Sequence, residues 1–291
     1  MKTFAYERPT TLADAIALLD VHGPDARLLA GGTDLIIRLR DGSAQPKVVI
    51  DVKRIAELSP AIREQNGIVT IGATAVVADI AASALVAHHF EALAEAAAVV
   101  GSVQIRNRAT IAGNICNASP AADTAPSLMV YGAVIVATGS KGTRRIPIDD
   151  FFVRSGVTTL ARGELVIAVE LPIPTCRTVA VHMRRTRRRG HDLASVTLCC
   201  AMDETGTTRL AYGSVGPRPV LVTDETGVLA DANAPAEAKA AIFERMFADA
   251  SPSKRSMRAG PEYRQAMLRV LGSRAVQALV ERLAAERPAE A

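Results

Sequence analysis

Residues 28–35 read Leu28-Leu29-Ala30-Gly31-Gly32-Thr33-Asp34-Leu35, an apolar strand followed by two glycines and a helix start. Glycine allows positive φ and close backbone approach, and a helix start offers unpaired N–H groups to an anion. The stretch therefore predicts either a phosphate-binding turn or an ordinary tight turn. It matches neither GxGxxG nor GxxxxGK[ST], the fingerprints of dinucleotide-binding Rossmann folds and P-loop enzymes.

A second loop rich in small polar residues lies between residues 104 and 123. It reads Gln104-Ile105-Arg106-Asn107-Arg108-Ala109-Thr110-Ile111-Ala112-Gly113-Asn114-Ile115-Cys116-Asn117-Ala118-Ser119-Pro120-Ala121-Ala122-Asp123. Together with residues 28–35, it could hold a diphosphate between two backbone segments. The alternative is a hydrogen-bonded surface loop.

The first third of the chain alternates between strand and helix patterns, and further strand patterns follow up to residue 171. Sequence patterns predict strands at Thr3–Glu7, Arg27–Ala30, Lys47–Val52, Gly67–Gly72, Ala133–Thr138, Thr143–Ile148 and Glu164–Leu171. Lys47–Val52 and Gly67–Gly72 are rich in β-branched residues. Helical patterns occupy a segment that starts at Thr11, Thr33–Leu39 and Leu85–Val100, whereas Asn107–Asn117 is predicted to be a loop.

The pattern changes after Pro172-Ile173-Pro174, where the prolines end a strand. Three strands and two helices follow without alternation, at Val179–Arg185, Ser195–Met202, Thr208–Val215, Ala236–Phe247 and Pro261–Ala285. Strands followed by helices predict a separate α+β domain with a three-stranded antiparallel sheet, and hence a domain boundary near residue 175.

Composition excludes several classes of protein. The 291 residues are 49% hydrophobic and 22% charged, which is typical of a folded chain of about two domains. No apolar run reaches the ~20 residues that span a bilayer, and no apolar segment follows Met1, so we expect no membrane segment and a cytoplasmic location. Histidines and cysteines lack metal-site spacing, which predicts no metal and four buried free thiols.

Positive charge is concentrated in one window. The net charge is +4, and the window contains Arg184, Arg185, Arg187, Arg188 and Arg189. It could be a solvated strand end, a patch that faces a cofactor or partner subunit, or a nucleic-acid site. Aromatic residues make up only 3% of the chain, which argues against nucleic acid because single strands stack on aromatic platforms.

The two loops together resemble the FAD-binding medium subunit of molybdenum hydroxylases, the xanthine dehydrogenase and carbon monoxide dehydrogenase flavoprotein family. The resemblance rests on AGGTDL at 30–35, QIRNRATIAGN at 104–114 and ASPAAD at 118–123. It continues through GELV at 163–166, DLA at 192–194 and GSVGPRP at 213–219, and so covers nearly the whole chain.

The resemblance implies an α+β chain. A two-part FAD-binding domain of the vanillyl-alcohol-oxidase (PCMH) type would occupy residues 1–175, with subdomains at about 1–55 and 56–175. The family's small C-terminal domain would occupy residues 176–291.

The resemblance also implies the residues that bind the cofactor. The first loop would wrap the FAD diphosphate with Leu28, Leu29, Ala30, Gly31, Gly32, Thr33, Asp34 and Leu35. The second would contribute Thr110, Ile111, Ala112, Gly113 and Asn114, while Asp123 would contact the cofactor, Val100 would line the site and Leu165 and Val166 would pack near the flavin. Two positions depart from the family pattern: Ala112 replaces a glycine, and Arg184 stands where many relatives have lysine.

The implied function is electron transfer. The chain would take electrons from two [2Fe–2S] clusters on a small partner subunit and pass them to an external acceptor, with no catalytic residue of its own. A large molybdopterin subunit would hydroxylate an aromatic N-heterocycle or related small molecule, or oxidise carbon monoxide, in a dimer of heterotrimers. The alternatives are a stand-alone flavin oxidase and an assembly subunit that has lost FAD.

Overall fold

The computed structural model describes residues 2–188, 190–256 and 258–285, so Arg189 lies outside the described residues. A small parallel sheet forms first, with strand order β1-β3-β2. Its elements are β1 (Ala5–Glu7), α1 (Leu12–His22), β2 (Ala26–Leu29), α2 (Leu35–Asp41) and β3 (Val48–Asp51). The predicted alternation is confirmed, and it places the Gly31-Gly32 turn at the carboxyl end of β2.

A five-stranded antiparallel sheet follows, with order β4-β5-β10-β6-β7. Its strands are β4 (Ile62–Gln65), β5 (Ile68–Gly72), β6 (Val134–Gly139), β7 (Gly142–Pro147) and β10 (Leu165–Pro172). A separate two-stranded hairpin consists of β8 (Phe152–Arg154) and β9 (Val157–Thr158). The helices of this part are α3 (Val77–Ala82), α4 (Ala84–His89), α5 (Glu91–Ala98), α6 (Val103–Arg106), α7 (Ile111–Cys116), α8 (Thr124–Val130) and α9 (Ile148–Phe151).

Two predictions for this part are wrong. The single helix expected at Leu85–Val100 is split into α4 and α5 at Phe90, whose backbone leaves the helical region (φ −140°, ψ 54°). There the Phe90 ring is fully buried against Tyr131, with ring centroids 5.0 Å apart. The loop expected at Asn107–Asn117 contains α7, because Thr110 caps a short helix that its small polar residues did not indicate.

The C-terminal part has a four-stranded antiparallel sheet, so the prediction of three strands is wrong. Its elements are β11 (Thr178–Arg185), β12 (Val196–Asp203), β13 (Thr208–Gly213), β14 (Val220–Asp224), α10 (Ala236–Met246) and α11 (Pro261–Ala284), with strand order β11-β12-β13-β14. The strand β14 pairs with β13 from Thr208↔Asp224 to Tyr212↔Val220. Pro217 and Pro219 lie just before this strand.

Every residue of β12 is buried, because the C-terminal sheet is covered on both faces. Cys199 packs into the core of the preceding part, while Cys200 packs under α10 and α11. Successive strand residues point to opposite faces, so these two thiols cannot bridge. All four cysteines are free; Cys116 and Cys176 are partly exposed rather than buried as predicted.

Carboxylates of α5 hold the two parts together. The free edge of β11 donates from Ala180 N to Glu91 Oε1 (3.0 Å) and from His182 N to Glu95 Oε2 (2.8 Å). Arg282 of α11 lies 3.2 Å from the same Glu91 oxygen and also donates to Ala180 O. These bonds satisfy edge N–H groups that an open sheet would leave unpaired. Among the described residues, no helix combines the length and apolar character needed to cross a bilayer.

Candidate cofactor site

Both predicted loops reach one cavity of 370 Å³ at the carboxyl end of β2. Its lining includes these predicted residues: Leu28, Ala30, Gly31, Gly32, Thr33, Asp34, Leu35, Val100, Thr110, Ala112, Gly113, Asn114, Leu165 and Val166. A larger groove of 540 Å³ between α10 and α11 contains none of the predicted residues. The 370 Å³ cavity is therefore the one that the sequence indicates.

Four predicted residues are not part of that lining. Leu29 lies beneath the turn, and Ile111 is fully buried in the core. Asp123 and Arg184 lie in a separate buried cluster. The cavity also has lining residues that sequence reasoning missed, among them Arg38, Ala73, Thr74, Ile105, Cys116 and Asn117. Helical spacing could have indicated two of them, since Arg38 follows Asp34 by four positions and Asn117 follows Asn114 by three.

Gly31 is required by the close approach of the two loops. A Cβ on Gly31 would lie 2.0 Å from the backbone carbonyl oxygen of Arg108 and 2.9 Å from Ala109 Cα. Gly32 follows with φ +78°, a conformation that favours glycine. The glycine pair thus lets the β2–α2 turn press against the segment that leads into α7.

The β2–α2 turn presents free backbone donors. Within the described part of the chain, the N–H groups of Gly31, Gly32, Thr33 and Asp34 donate no hydrogen bond. Three of these four residues are only partly buried, and all four line the cavity. Unpaired N–H groups in a row are suited to the oxygens of an anion.

The N–H groups at the start of α7 donate hydrogen bonds within the protein, unlike those of the β2–α2 turn. The hydroxyl of Thr110 accepts from Gly113 N at 3.1 Å. The neighbouring bonds run from Ile111 N to Ala75 O (3.0 Å), Ala112 N to Ala73 O (3.4 Å) and Asn114 N to Thr110 O (2.9 Å). The second loop therefore shapes the cavity, while the first supplies its backbone donors.

Asn117 joins the two loops through its side chain. Its amide nitrogen donates to Asp34 Oδ1 at 3.1 Å, and its oxygen accepts from the Arg38 guanidinium at 2.6 Å. These contacts span 83 and 79 residues of sequence. They fix α7 against the start of α2 at the edge of the cavity.

A buried charge cluster lies beside Val100. The Arg184 guanidinium donates to Asp123 Oδ2 and to Val99 O, both at 2.7 Å. The His182 side chain is 3% exposed, and its Nε2 lies 3.7 Å from Asp123 Oδ1. In the described structure, neither ring nitrogen of His182 nor Asp123 Oδ1 has a hydrogen-bond partner.

Burial sets the protonation of this cluster. It raises the pKa of Asp123 to about 6, although the Arg184 guanidinium opposes the rise. Burial also lowers the pKa of His182 to about 3, and the nearby Arg184 charge adds to that shift. His182 is therefore neutral at physiological pH, whereas Asp123 is ionised and paired with Arg184.

The two shifts act oppositely on stability. Between pH 3 and 6.5 the unfolded chain protonates His182 and the folded chain does not, so this group makes the free energy of unfolding rise with pH. Asp123 holds a proton in the folded chain between pH 3.8 and about 6, so its contribution falls with pH. Over that common range the two contributions largely cancel.

His182→Gln should expose the contribution of Asp123. The variant loses the contribution of His182 and keeps that of Asp123. Once the change seen in wild type is subtracted, we therefore expect the free energy of unfolding of the variant to be about 2 kcal/mol lower at pH 6 than at about pH 4.5. Urea unfolding of both proteins at the two pH values measures this difference. His191→Gln, at an exposed histidine, is the control. An unchanged pH slope in His182→Gln would contradict the assignment.

Two known protein families match this chain, one over each part. Residues 2–174 match the family described as the FAD-binding domain in molybdopterin dehydrogenase. Residues 182–279 match the carbon monoxide dehydrogenase flavoprotein C-terminal domain. The chain belongs to the molybdopterin dehydrogenase FAD-binding family.

Relatives of this family match along almost the full chain. The xanthine dehydrogenase FAD-binding subunit of Escherichia coli O157:H7 is 30% identical over 281 residues, covering 95% of this chain and 96% of that protein. The carbon monoxide dehydrogenase medium chain of Hydrogenophaga pseudoflava is 32% identical over 285 residues, covering 97% and 98%.

A solved structure agrees with this placement. It is the carbon monoxide dehydrogenase of Hydrogenophaga pseudoflava that lacks the Mo-pyranopterin moiety of the molybdenum cofactor, and it superposes with a TM-score of 0.88 at 32% identity. The match covers 97% of this chain and 98% of that one. The resemblance drawn from the two loops is confirmed: the chain is an oxidoreductase subunit with the two-domain fold of FAD-binding medium chains.

Proposed function

We propose that the chain binds FAD in the 370 Å³ cavity and is the electron-transfer subunit of a molybdenum-containing hydroxylase complex. The observation that carries the proposal is the row of unbonded N–H groups at Gly31, Gly32, Thr33 and Asp34. A diphosphate has oxygens enough to accept from several of them at once. Glycine at position 31 lets the turn that carries those donors pack directly against the backbone of Arg108.

The rest of the cavity fits the remainder of FAD. Apolar side chains of Leu28, Val100, Leu165 and Val166 form the wall against which a flat ring would pack. Asn114 Oδ1 accepts from Thr124 Oγ1 at 2.6 Å, which fixes its side chain at the cavity. Bound FAD would supply the redox chemistry, and the protein would supply binding, orientation and electrostatics.

Arg184 and Asp123 would act beside the ring-binding end of the cavity. Arg184 donates to Val99 O, next to Val100 in the lining, so it fixes the backbone of that wall. Its positive charge is balanced by Asp123. The pair would therefore hold a nearly neutral local field next to the flavin, and no side chain of this chain need transfer a proton to substrate.

The substrate chemistry is proposed to take place on other subunits. By analogy with relatives named for xanthine, carbon monoxide and nicotinate dehydrogenases, a large molybdopterin subunit would hydroxylate an aromatic N-heterocycle or related small molecule, or oxidise carbon monoxide. A small subunit with two [2Fe–2S] clusters would pass electrons to this chain, which would deliver them to an external acceptor. The assembly would be a cytoplasmic dimer of heterotrimers.

The methyl group of Ala112 is compatible with FAD binding. The family pattern has glycine at this position, and an FAD-less assembly subunit was the alternative that rested on it. Ala112 is 9% exposed, and the cavity keeps its 370 Å³ with the alanine methyl in place.

The test combines the chain with its partner subunits. We expect substrate to bleach the flavin absorbance only in the assembled complex, because electrons would reach this chain through the iron–sulfur subunit. A flavin oxidase would instead turn over substrate and form hydrogen peroxide with the chain alone. Peroxide production by the isolated FAD-loaded chain at the rate of the complex would overturn the proposal.

A further inference from the structure

Three arginines of the window belong to a basic patch that the fold assembles from two segments. The patch, as defined here, consists of six exposed cations, Arg185, Arg187, Arg188, Lys254, Arg255 and Arg258. Arg185 ends β11, Arg187 and Arg188 follow it, and the other three cations precede α11. Because the two groups are far apart in sequence, no local sequence pattern indicates the patch.

Buried Arg264 holds the two segments together. It is 5% exposed, and its guanidinium donates to Ser195 O (2.9 Å), at the end of the β11–β12 loop. The same guanidinium donates to Ser256 Oγ (2.5 Å) in the second segment. Arg185 adds a further link from its Nε to Tyr263 OH at 2.9 Å. These bonds bring the two segments that carry the six charges together.

The charges of the patch are mostly unbalanced. Arg187 lies 3.3 Å from Asp192. Among the described residues, the other five cations have no carboxylate within salt-bridge distance. Keeping five like charges together costs free energy, and an opposite charge from outside would remove that cost.

One end of the patch contacts Asp192, which Arg184 also contacts, and the patch includes apolar surface. Arg184, the residue before the patch, contacts Val99 O beside the cavity and Asp192 O in the loop. Leu193 and Tyr263 within it are 45% and 42% exposed. Arginine and tyrosine around exposed apolar groups are typical of protein interfaces.

We propose that this basic patch docks an acidic protein surface. Electron exchange between the docked protein and this chain rests on the proposed function. The docking itself is independent of that function. Nucleic acid fits less well, because Tyr263 is the single large aromatic exposed there and its hydroxyl is already bonded to Arg185.

Two forms of one probe test the proposal. Succinylated cytochrome c is acidic and native cytochrome c is basic, so the pair differs mainly in the sign of its charge. We expect the full chain to bind the succinylated form, with an association rate that falls as salt rises, and not to bind the native form.

A pair of charge-matched variants locates the effect. Arg188→Glu/Arg255→Glu reverses two charges of the patch, and Arg154→Glu/Arg245→Glu reverses two exposed arginines elsewhere. Each substitution changes the charge by two, so both variants take the net charge from +4 to zero. We expect the first variant to lose on the order of tenfold in association rate at low salt, and the second to stay near wild type.

Three outcomes overturn the proposal: equal loss in both variants, no binding of the acidic probe by wild type, or tighter binding of single-stranded DNA with the same dependence on the patch. Binding is measured whether or not the chain carries FAD. Failure of the proposed function, seen as absence of flavin, is thus separate from failure of the docking surface.

Discussion

Gly31→Ala is expected to weaken FAD binding on the order of a hundredfold. The new Cβ would lie 2.0 Å from Arg108 O and 2.8 Å from Arg108 C, both backbone atoms that no rotamer change can move. The β2–α2 turn must therefore separate from the segment before α7, which displaces the free N–H groups. Overpacking of this kind costs roughly 2–3 kcal/mol, which corresponds to about a hundredfold in affinity.

Fluorescence titration with FAD, accompanied by circular dichroism of the apoprotein, measures this effect. Gly260→Ala is the matched control, because its φ is −67° and the nearest atom to an added Cβ is Glu262 Oε2 at 3.5 Å. Wild-type affinity in Gly31→Ala would show that the contact between the two loops does not shape the site.

Arg184→Met is expected to lower the free energy of unfolding by about 3–5 kcal/mol. The side chains of Arg184 and Asp123 are 15% and 8% exposed, so removing the guanidinium leaves a carboxylate buried without its counter-charge. The bonds to Val99 O and Asp192 O are lost as well. Urea unfolding at neutral pH measures the change.

Two further variants separate charge from packing. Asp123→Asn in the Arg184→Met background removes the unpaired charge, and we expect most of the lost stability to return. Arg184→Lys keeps a cation near Asp123. It should cost about 1 kcal/mol, because lysine cannot reproduce the planar set of three bonds. Equal instability of the single and double variants would show that the pair is not what stabilises this region.

The two loops that line the cavity could be predicted from the local sequence. The glycines at 31 and 32, which follow an apolar strand pattern, indicated the turn that lines the cavity in the structure. Thr110 marked the second loop, although its role as a helix cap went unrecognised. Asp123 and Arg184 were drawn into the site by family resemblance, and the structure places them just outside the cavity lining.

Contacts between distant segments could not be predicted in this way. The N–H groups of Ile111 and Ala112 are hydrogen-bonded to the carbonyls of Ala75 and Ala73, whereas, among the described residues, those of Gly31–Asp34 are free. Neither Ala73 nor Ala75 belongs to a motif, so the sequence did not indicate which N–H groups remain available. Asn117 and the Arg264 link depend equally on segments brought together only by the fold. Local patterns thus indicated where a ligand binds, whereas the donors and charges available to it required the tertiary structure.

The most direct test of the central claim is the flavin content of the purified chain, from its absorption spectrum and identification of the cofactor released on denaturation. The account predicts about one FAD per chain, lost in Gly31→Ala and retained in Gly260→Ala. A wild-type protein that stays colourless after reconstitution with FAD and the partner subunits would contradict it.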